Sequence, residues 1–209
     1  MILRASAPVV IIAAASQLCI DAMLYQIISL LLEVVVGIFG GACLLRLYMQ
    51  LLRIPMSARS GNPLGRFVFA LTDWIVLPLR RVLPSLGALD TASLVAAFVL
   101  QLAKFALLWL IAGAGGSLFF LPLLAVFGLL SMAISGLTVA VIVYAVLSWL
   151  PTSSVISGVM ARLVEPLLTP IRRVLPSVGG IDLSPLVLLL LLQVAAIVLG
   201  GVRGGVLGA

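Results

Sequence analysis

Two kinds of residue in this sequence could do chemistry. The first is a string of arginine, proline, glycine and aspartate that occurs twice. Residues 79–90 read LRRVLPSLGALD and residues 171–182 read IRRVLPSVGGID, a constant 92 residues apart. In such a string Arg80, Arg81, Arg172 and Arg173 present guanidinium forks that match phosphate or carboxylate oxygens. Pro84 and Pro176 turn the chain, Gly87 and Gly179 permit positive φ, and Asp90 and Asp182 stand where a carboxylate caps the next helix and complements its positive end. The second kind is a pair of isolated charges, Glu33 and Lys104, each inside a long apolar run. Charges at that depth usually pair inside a helical bundle. Glu33 lies 13 residues before Arg46 and Lys104 13 after Thr91, so both are expected about 20 Å from the same end of their helices. They are expected to form an ion pair, with Gln101 one turn away; the alternative is that each is satisfied separately.

The repeat extends beyond the string. Residues 78–101 and 170–193 align without gaps and share 13 of 24 positions, including Gln101 and Gln193. Two unrelated apolar helices would share leucine and valine, not these polar residues. The chain is therefore a tandem duplication.

The surrounding elements are membrane elements. The 209 residues are 64% hydrophobic and 9% charged, against about a quarter charged in soluble domains. The net charge of +6 does not point to nucleic acid, because the basic residues sit between apolar spans, where they read as topology signals and contacts with anionic lipid. The sequence contains no histidine and two cysteines, Cys19 and Cys43, which read as small apolar core residues. This removes histidine acid–base catalysis and most zinc sites. No phosphate-binding loop, nucleophile elbow or metalloprotease pattern occurs. No catalytic residue, metal site or cofactor is expected.

Four spans are predicted, near residues 23–47, 91–112, 129–150 and 185–202. Each has at least 18 residues, within the length range of a membrane-spanning helix. Gly37 and Gly41 form a GxxxG surface suited to close helix packing. Between the spans of each repeat lies a short amphipathic helix. Asn62-Pro63 starts the first, whose apolar face is Leu64, Phe67, Val68, Leu71 and Ile75, with Trp74 at the interface and Pro78 as the stop. Val159, Met160, Leu163, Val164, Leu167 and Leu168 form the face of the second, with Pro170 as the stop. Both are expected to lie at the membrane surface rather than pack on the bundle. The organisation is therefore 1–22, an N-terminal extension or signal-like segment; 23–112, the first repeat; 113–128, a connector or partly re-entrant piece; and 129–209, the second repeat with a glycine-rich tail. The two loops within repeats, with Arg46 at their edge, carry nine arginines, and the connection at 113–117 carries none. Both repeated strings should therefore face the cytoplasm and both termini the periplasm.

Two copies of Arg-Arg-x-x-Pro-Ser-x-Gly-x-x-Asp between apolar spans, with Asn62-Pro63 before the first, resemble the YggT family over residues 23–202. The first copy departs slightly, with Ala88 and Ser93 where the second has Gly180 and Pro185. The resemblance implies a small multi-pass protein of the bacterial inner membrane with no established catalytic activity. It also implies links to osmotic stress tolerance and potassium uptake, to cell division and nucleoid distribution, and, in photosynthetic membranes, to haem attachment on a b-type cytochrome. The absent histidine argues that this chain does not itself ligate haem through imidazole. Two functions follow as expectations. One is a non-catalytic assembly or organising factor, with anionic lipids and a membrane-protein partner or a second copy as contacts. The other is a channel or channel accessory, whose polar path would draw on Glu33, Gln101, Lys104, Thr138, Tyr144 and Gln193.

Overall fold

The computed structural model describes residues 7–56, 62–82, 90–114, 117–149, 155–174 and 182–207, with side chains between residues 20 and 206. Among these residues the protein is all-helical: α1 (Ala7–Leu51), α2 (Pro63–Val82), α3 (Thr91–Ile111), a 3-10 turn (Leu118–Phe120), α4 (Leu121–Trp149), α5 (Val155–Val174) and α6 (Ser184–Leu207). Four helical stretches are long and apolar enough to cross a membrane: Ile20–Leu51, Thr91–Ile111, Leu118–Trp149 and Ser184–Val206, with mean hydropathy between 2.2 and 2.5. The shortest, at 21 residues, still reaches about 32 Å. Even an ordered bundle leaves their outer faces apolar and exposed, as with Leu30, Leu110, Leu190 and Ile197. In a hydrocarbon solvent that exposure carries no cost.

Each repeat is a span, an amphipathic helix and a second span. In the first, α1, α2 and α3 pack on one another; in the second, α4, α5 and α6 do so. The repeats meet where α3 and the inner face of α1 pack on α4. The C-terminal end of α1, the N-terminal end of α3 and the corresponding ends of α4 and α6 therefore share one end of the bundle with α2 and α5. The side chains of Met49, Ile54, Val141, Leu163, Val164, Leu168 and Leu188 form the core there. A smaller cluster, Cys43, Val76, Ala92, Ala96 and Ala97, joins α1, α2 and α3.

Several expectations are corrected. Pro78 and Pro170 do not stop their helices: α2 continues to Val82 and α5 to Val174. Each proline removes one hydrogen bond near a helix end, a loss the neighbouring core offsets. The buried face of α2 is Gly65, Val68, Thr72 and Val76, while Phe67 and Trp74 point outward. Trp74 stands edge-on to Phe39 of α1 at 5.5 Å. The apolar face of α5 is as expected but is spent on the bundle core rather than on lipid.

Gly37 and Gly41 have open space where a Cβ would stand. Between spans, the close approaches are instead Gly40 against Met132 and Gly128 against Gln101 and Phe105. Residues 121–128, expected as a connector or partly re-entrant piece, are continuous with α4. Pro122 sits in the first turn, where its missing N–H needs no partner. Helix α1 likewise continues from the first span back to Ala7. α3 closes with Gly113 at φ +84° and Ala114 at φ +55°, whose N–H returns to the Trp109 carbonyl at 3.0 Å.

Candidate functional site

The charged residues converge at the end of the bundle that holds α2 and α5. Asp90, the last residue before α3, does not cap that helix with its side chain. Its backbone carbonyl accepts from the Ser93 and Leu94 N–H groups at 3.0 and 3.2 Å, and its carboxylate turns to Arg80. Arg80 donates from Nη2 to Oδ2 at 2.5 Å and from Nε to Oδ1 at 3.3 Å, a two-pronged bond across ten residues. The Ser93 hydroxyl adds a third donor at 2.8 Å. From α1, Arg46 reaches the same centre. Its Nη1 donates to Thr72 Oγ1 and Asp73 Oδ1, both at 2.7 Å, and its Nε lies 3.6 Å from Asp90 Oδ2. Arg46 is 2% exposed, with its guanidinium 4.6 Å from the centre of the Phe69 ring. Burial pushes the Asp90 pKa up. The bonds from Arg80 and Ser93 and the charges of Arg80 and Arg46 outweigh that and hold it below its ordinary value. The Asp90 bond in turn raises Arg80.

The second repeat builds a more open version. Arg172 donates to Asp182 Oδ2 from Nε at 2.9 Å and from Nη2 at 2.7 Å, again across ten residues. Its further partners are the Tyr144 hydroxyl of α4 at 3.0 Å and Glu165 at 3.6 Å. With Pro185 where the first repeat has Ser93, Asp182 accepts from the Ser184 N–H at 2.9 Å, so here the expected helix-start bond is made. Burial pushes the Asp182 carboxyl up, and the Ser184 and Arg172 bonds hold it below its ordinary value. α4 contains no charged residue, so the second repeat has no equivalent of Arg46.

The four arginines of the repeated string thus divide. Arg80 and Arg172 are committed within the protein, where headgroup contact had been expected. Arg81 and Arg173 are exposed, as are Arg53, Arg66 and Arg162 at the same end. Pro84, Gly87, Pro176 and Gly179 lie outside the described residues. Sequence reasoning missed the Arg–Asp bonds, although the repetition of both partners at one spacing carried the signal. It also missed Arg46, Thr72 and Asp73, which no repeat marks.

Deeper in the membrane, Lys104 Nζ lies 3.8 Å from Glu33 Oε1. The lysine side chain is buried between helices, and the glutamate is 75% exposed on the outer surface of α1. Lys104 also stands 4.9 Å from the Phe105 ring centre. One turn earlier, Gln101 is buried and its Oε1 has no hydrogen-bond partner. The other residues considered for a polar path do not join this group. Thr138 bonds back to the Ile134 carbonyl, Tyr144 holds Arg172, and Gln193 is exposed on α6.

The two-repeat architecture is also how the chain aligns with known proteins. The family described as CCB3/YggT matches twice, over residues 25–111 and 123–203, one match for each repeat. Among curated relatives, the Uncharacterized protein YggT of Escherichia coli strain K12 is 38% identical over 171 residues, covering 80% of this chain and 86% of that protein. An uncharacterized protein in the proC 3'region of Vibrio alginolyticus is 38% identical over 180 residues, covering 84% of this chain and 95% of that one. Uncharacterized protein PA0392 of Pseudomonas aeruginosa is 35% identical over 154 residues, covering 72% and 76%. No solved structure matches. Two matches, one on each repeat, and relatives aligned across most of their length show that the chain is a multi-pass membrane protein belonging to the CCB3/YggT family.

Proposed function

We propose that the protein is a non-catalytic organising or assembly factor of the bacterial inner membrane. Its cytoplasmic end holds a fixed basic surface against anionic headgroups and a membrane-protein partner. One observation carries this reading. In each repeat the first arginine of the pair locks the amphipathic helix to the start of the following span, and the second is left exposed beside it. A guanidinium on a clamped helix loses little further freedom when it meets a phosphate or a carboxylate, which favours binding over mere anchoring. Arg53, Arg66 and Arg162 widen the same surface.

The test is charge reversal of Arg81 and Arg173 to Glu, leaving Arg80 and Arg172 in place. Native membranes would be solubilised, and co-purifying proteins and anionic lipids quantified by mass spectrometry. The double variant should keep its topology and thermal stability and lose most bound anionic lipid and the partner. Unchanged lipid and partner recovery would leave the arginines as topology signals only. In parallel, purified protein in liposomes under a potassium gradient examines the flux alternative; potassium release above that of empty vesicles would replace the organising role with a channel.

A further inference from the structure

The two repeats do not bury the same residues. Gln101 and Gln193 are equivalent positions, 92 residues apart. Gln101 is 2% exposed, seated where Gly128 of α4 leaves room for it: a Cβ at Gly128 would meet Gln101 Oε1 and Phe105 Cε2, each at 2.9 Å. Gln193 is exposed on α6. Topology is the cause. α3 lies between the first span of its own repeat and that of the next, whereas α6 packs on α4 and α5 with no comparable packing on α1. The relation between the repeats thus does not close within one chain, and a glutamine buried in the first repeat faces hydrocarbon in the second. Unsatisfied polar groups there are costly.

The outer surface of α1 has the complementary group. Glu33 is 75% exposed despite its contact with Lys104, and Leu30 and Val34 beside it are exposed as well. Gln193 lies 11 residues after Asp182, about 17 Å into the membrane from the arginine end. Glu33 lies 13 residues before Arg46, about 20 Å from that end. An amide that donates and a carboxylate that accepts therefore stand at one level on two uncovered helix faces.

We propose that a second copy of this chain packs its α1 against α6, repeating between copies the α3–α4 contact made within one. Gln193 of one copy then donates to Glu33 of the next and completes the Glu33–Lys104 pair. The contact joins two different surfaces, so each copy keeps one of each, and the assembly closes into a ring or runs as a row in the membrane plane. The inference goes beyond the basic surface and does not depend on it, since no arginine contributes.

Disulfide trapping in native membranes tests it, in a background with Cys19→Ala and Cys43→Ala. Leu30→Cys, 16 residues before Arg46 and one turn from Glu33, and Ile197→Cys, 15 after Asp182 and one turn from Gln193, stand at closely matched depth and are both exposed in the single chain. Carried on separately tagged copies and co-expressed, the two should give a mixed disulfide dimer, while neither variant alone does. Both changes on one chain should give a ladder of multimers. Gln193→Leu should lower the trapped fraction about threefold or more, the worth of a typical interhelical hydrogen bond. A dimer from either single variant alone would mean a symmetric contact and overturn the proposal. So would no mixed dimer, or a monomer mass for the unmodified protein in native mass spectrometry from lipid nanodiscs. An unchanged trapped fraction in Gln193→Leu would overturn the Gln193–Glu33 bond.

Discussion

The two Arg–Asp bonds are equivalent by sequence and unequal by environment, and that inequality is measurable. The Asp90 side chain is 3% exposed and that of Asp182 is 41% exposed. Asp90→Asn removes the charge facing two arginines, one of them buried, and should cost about 3–5 kcal/mol. Asp182→Asn breaks a partly solvated pair and should cost about 1 kcal/mol or less. Thermal unfolding in mild detergent separates the two. The sign with pH follows from the lowered Asp90 pKa. A carboxyl held lower in the folded than in the unfolded state adds stability that is full above its unfolded value, near 4, and lost as pH falls through the folded one. The unfolding temperature should thus drop below about pH 4, and this acid limb should flatten in Asp90→Asn.

The Glu33–Lys104 pair calls for a double-mutant cycle. Glu33→Gln strands a buried lysine and Lys104→Met strands a carboxylate facing hydrocarbon, so each should destabilise the protein more than the double change does. Equal and additive losses would show that the two charges act separately. The placement of these two residues was legible from their depth alone. Arg46 with Thr72 and Asp73 was not, because an arginine at the edge of a span looks the same whether it snorkels to water or turns inward to a buried threonine and an aspartate.

At the scale of the helices, the spans were legible because bilayer thickness fixes their length, and the amphipathic helices because apolar residues recur at helical spacing. Helix ends were less so. Pro78 reads as a stop, yet α2 has core contacts at Val76 that hold its last turn in place despite one missing donor. Glycine spacing also misleads. Gly37 and Gly41 satisfy the motif for close packing, but the face that approaches α4 is one residue round the helix, at Gly40. Which face meets a neighbour depends on the rotation of the whole helix, set here by buried Val36, Cys43 and Arg46. Substitution separates motif from contact. Gly128→Ala drives a methyl into Gln101 and Phe105 and should cost about 1–3 kcal/mol by overpacking. Gly37→Ala meets open space and should be neutral or stabilising by up to about 1 kcal/mol from helix propensity. Unfolding temperatures of the two variants in the same detergent check the contrast.

At the scale of the whole molecule, the architecture makes topology an all-or-none matter. Four spans arranged as two parallel repeats put both Arg–Asp bonds, α2 and α5 at one end, and the far ends of α1 and α6 at the other. Turning the protein over would carry every arginine of both motif loops across the membrane together. Those loops, with Arg46 at their edge, hold nine arginines, against Arg4 and Arg203 near the termini. Positive residues are retained on the cytoplasmic side, so the arginine end is expected to be cytoplasmic and the termini periplasmic. The committed arginines strengthen the argument. Arg46 and Arg80 are neutralised by Asp73 and Asp90 once folded, but orientation is set during insertion, when acidic residues contribute little and every arginine counts. Replacing only the exposed Arg53, Arg66, Arg81, Arg162 and Arg173 with Gln should therefore produce a mixed population, because the committed arginines still bias insertion. Alkaline phosphatase fused after Leu207 should be active in the parent chain, with green fluorescent protein at the same site dark. A fluorescent fusion in the parent would mean an inverted protein or an odd number of spans, and would place the arginine surface in the periplasm.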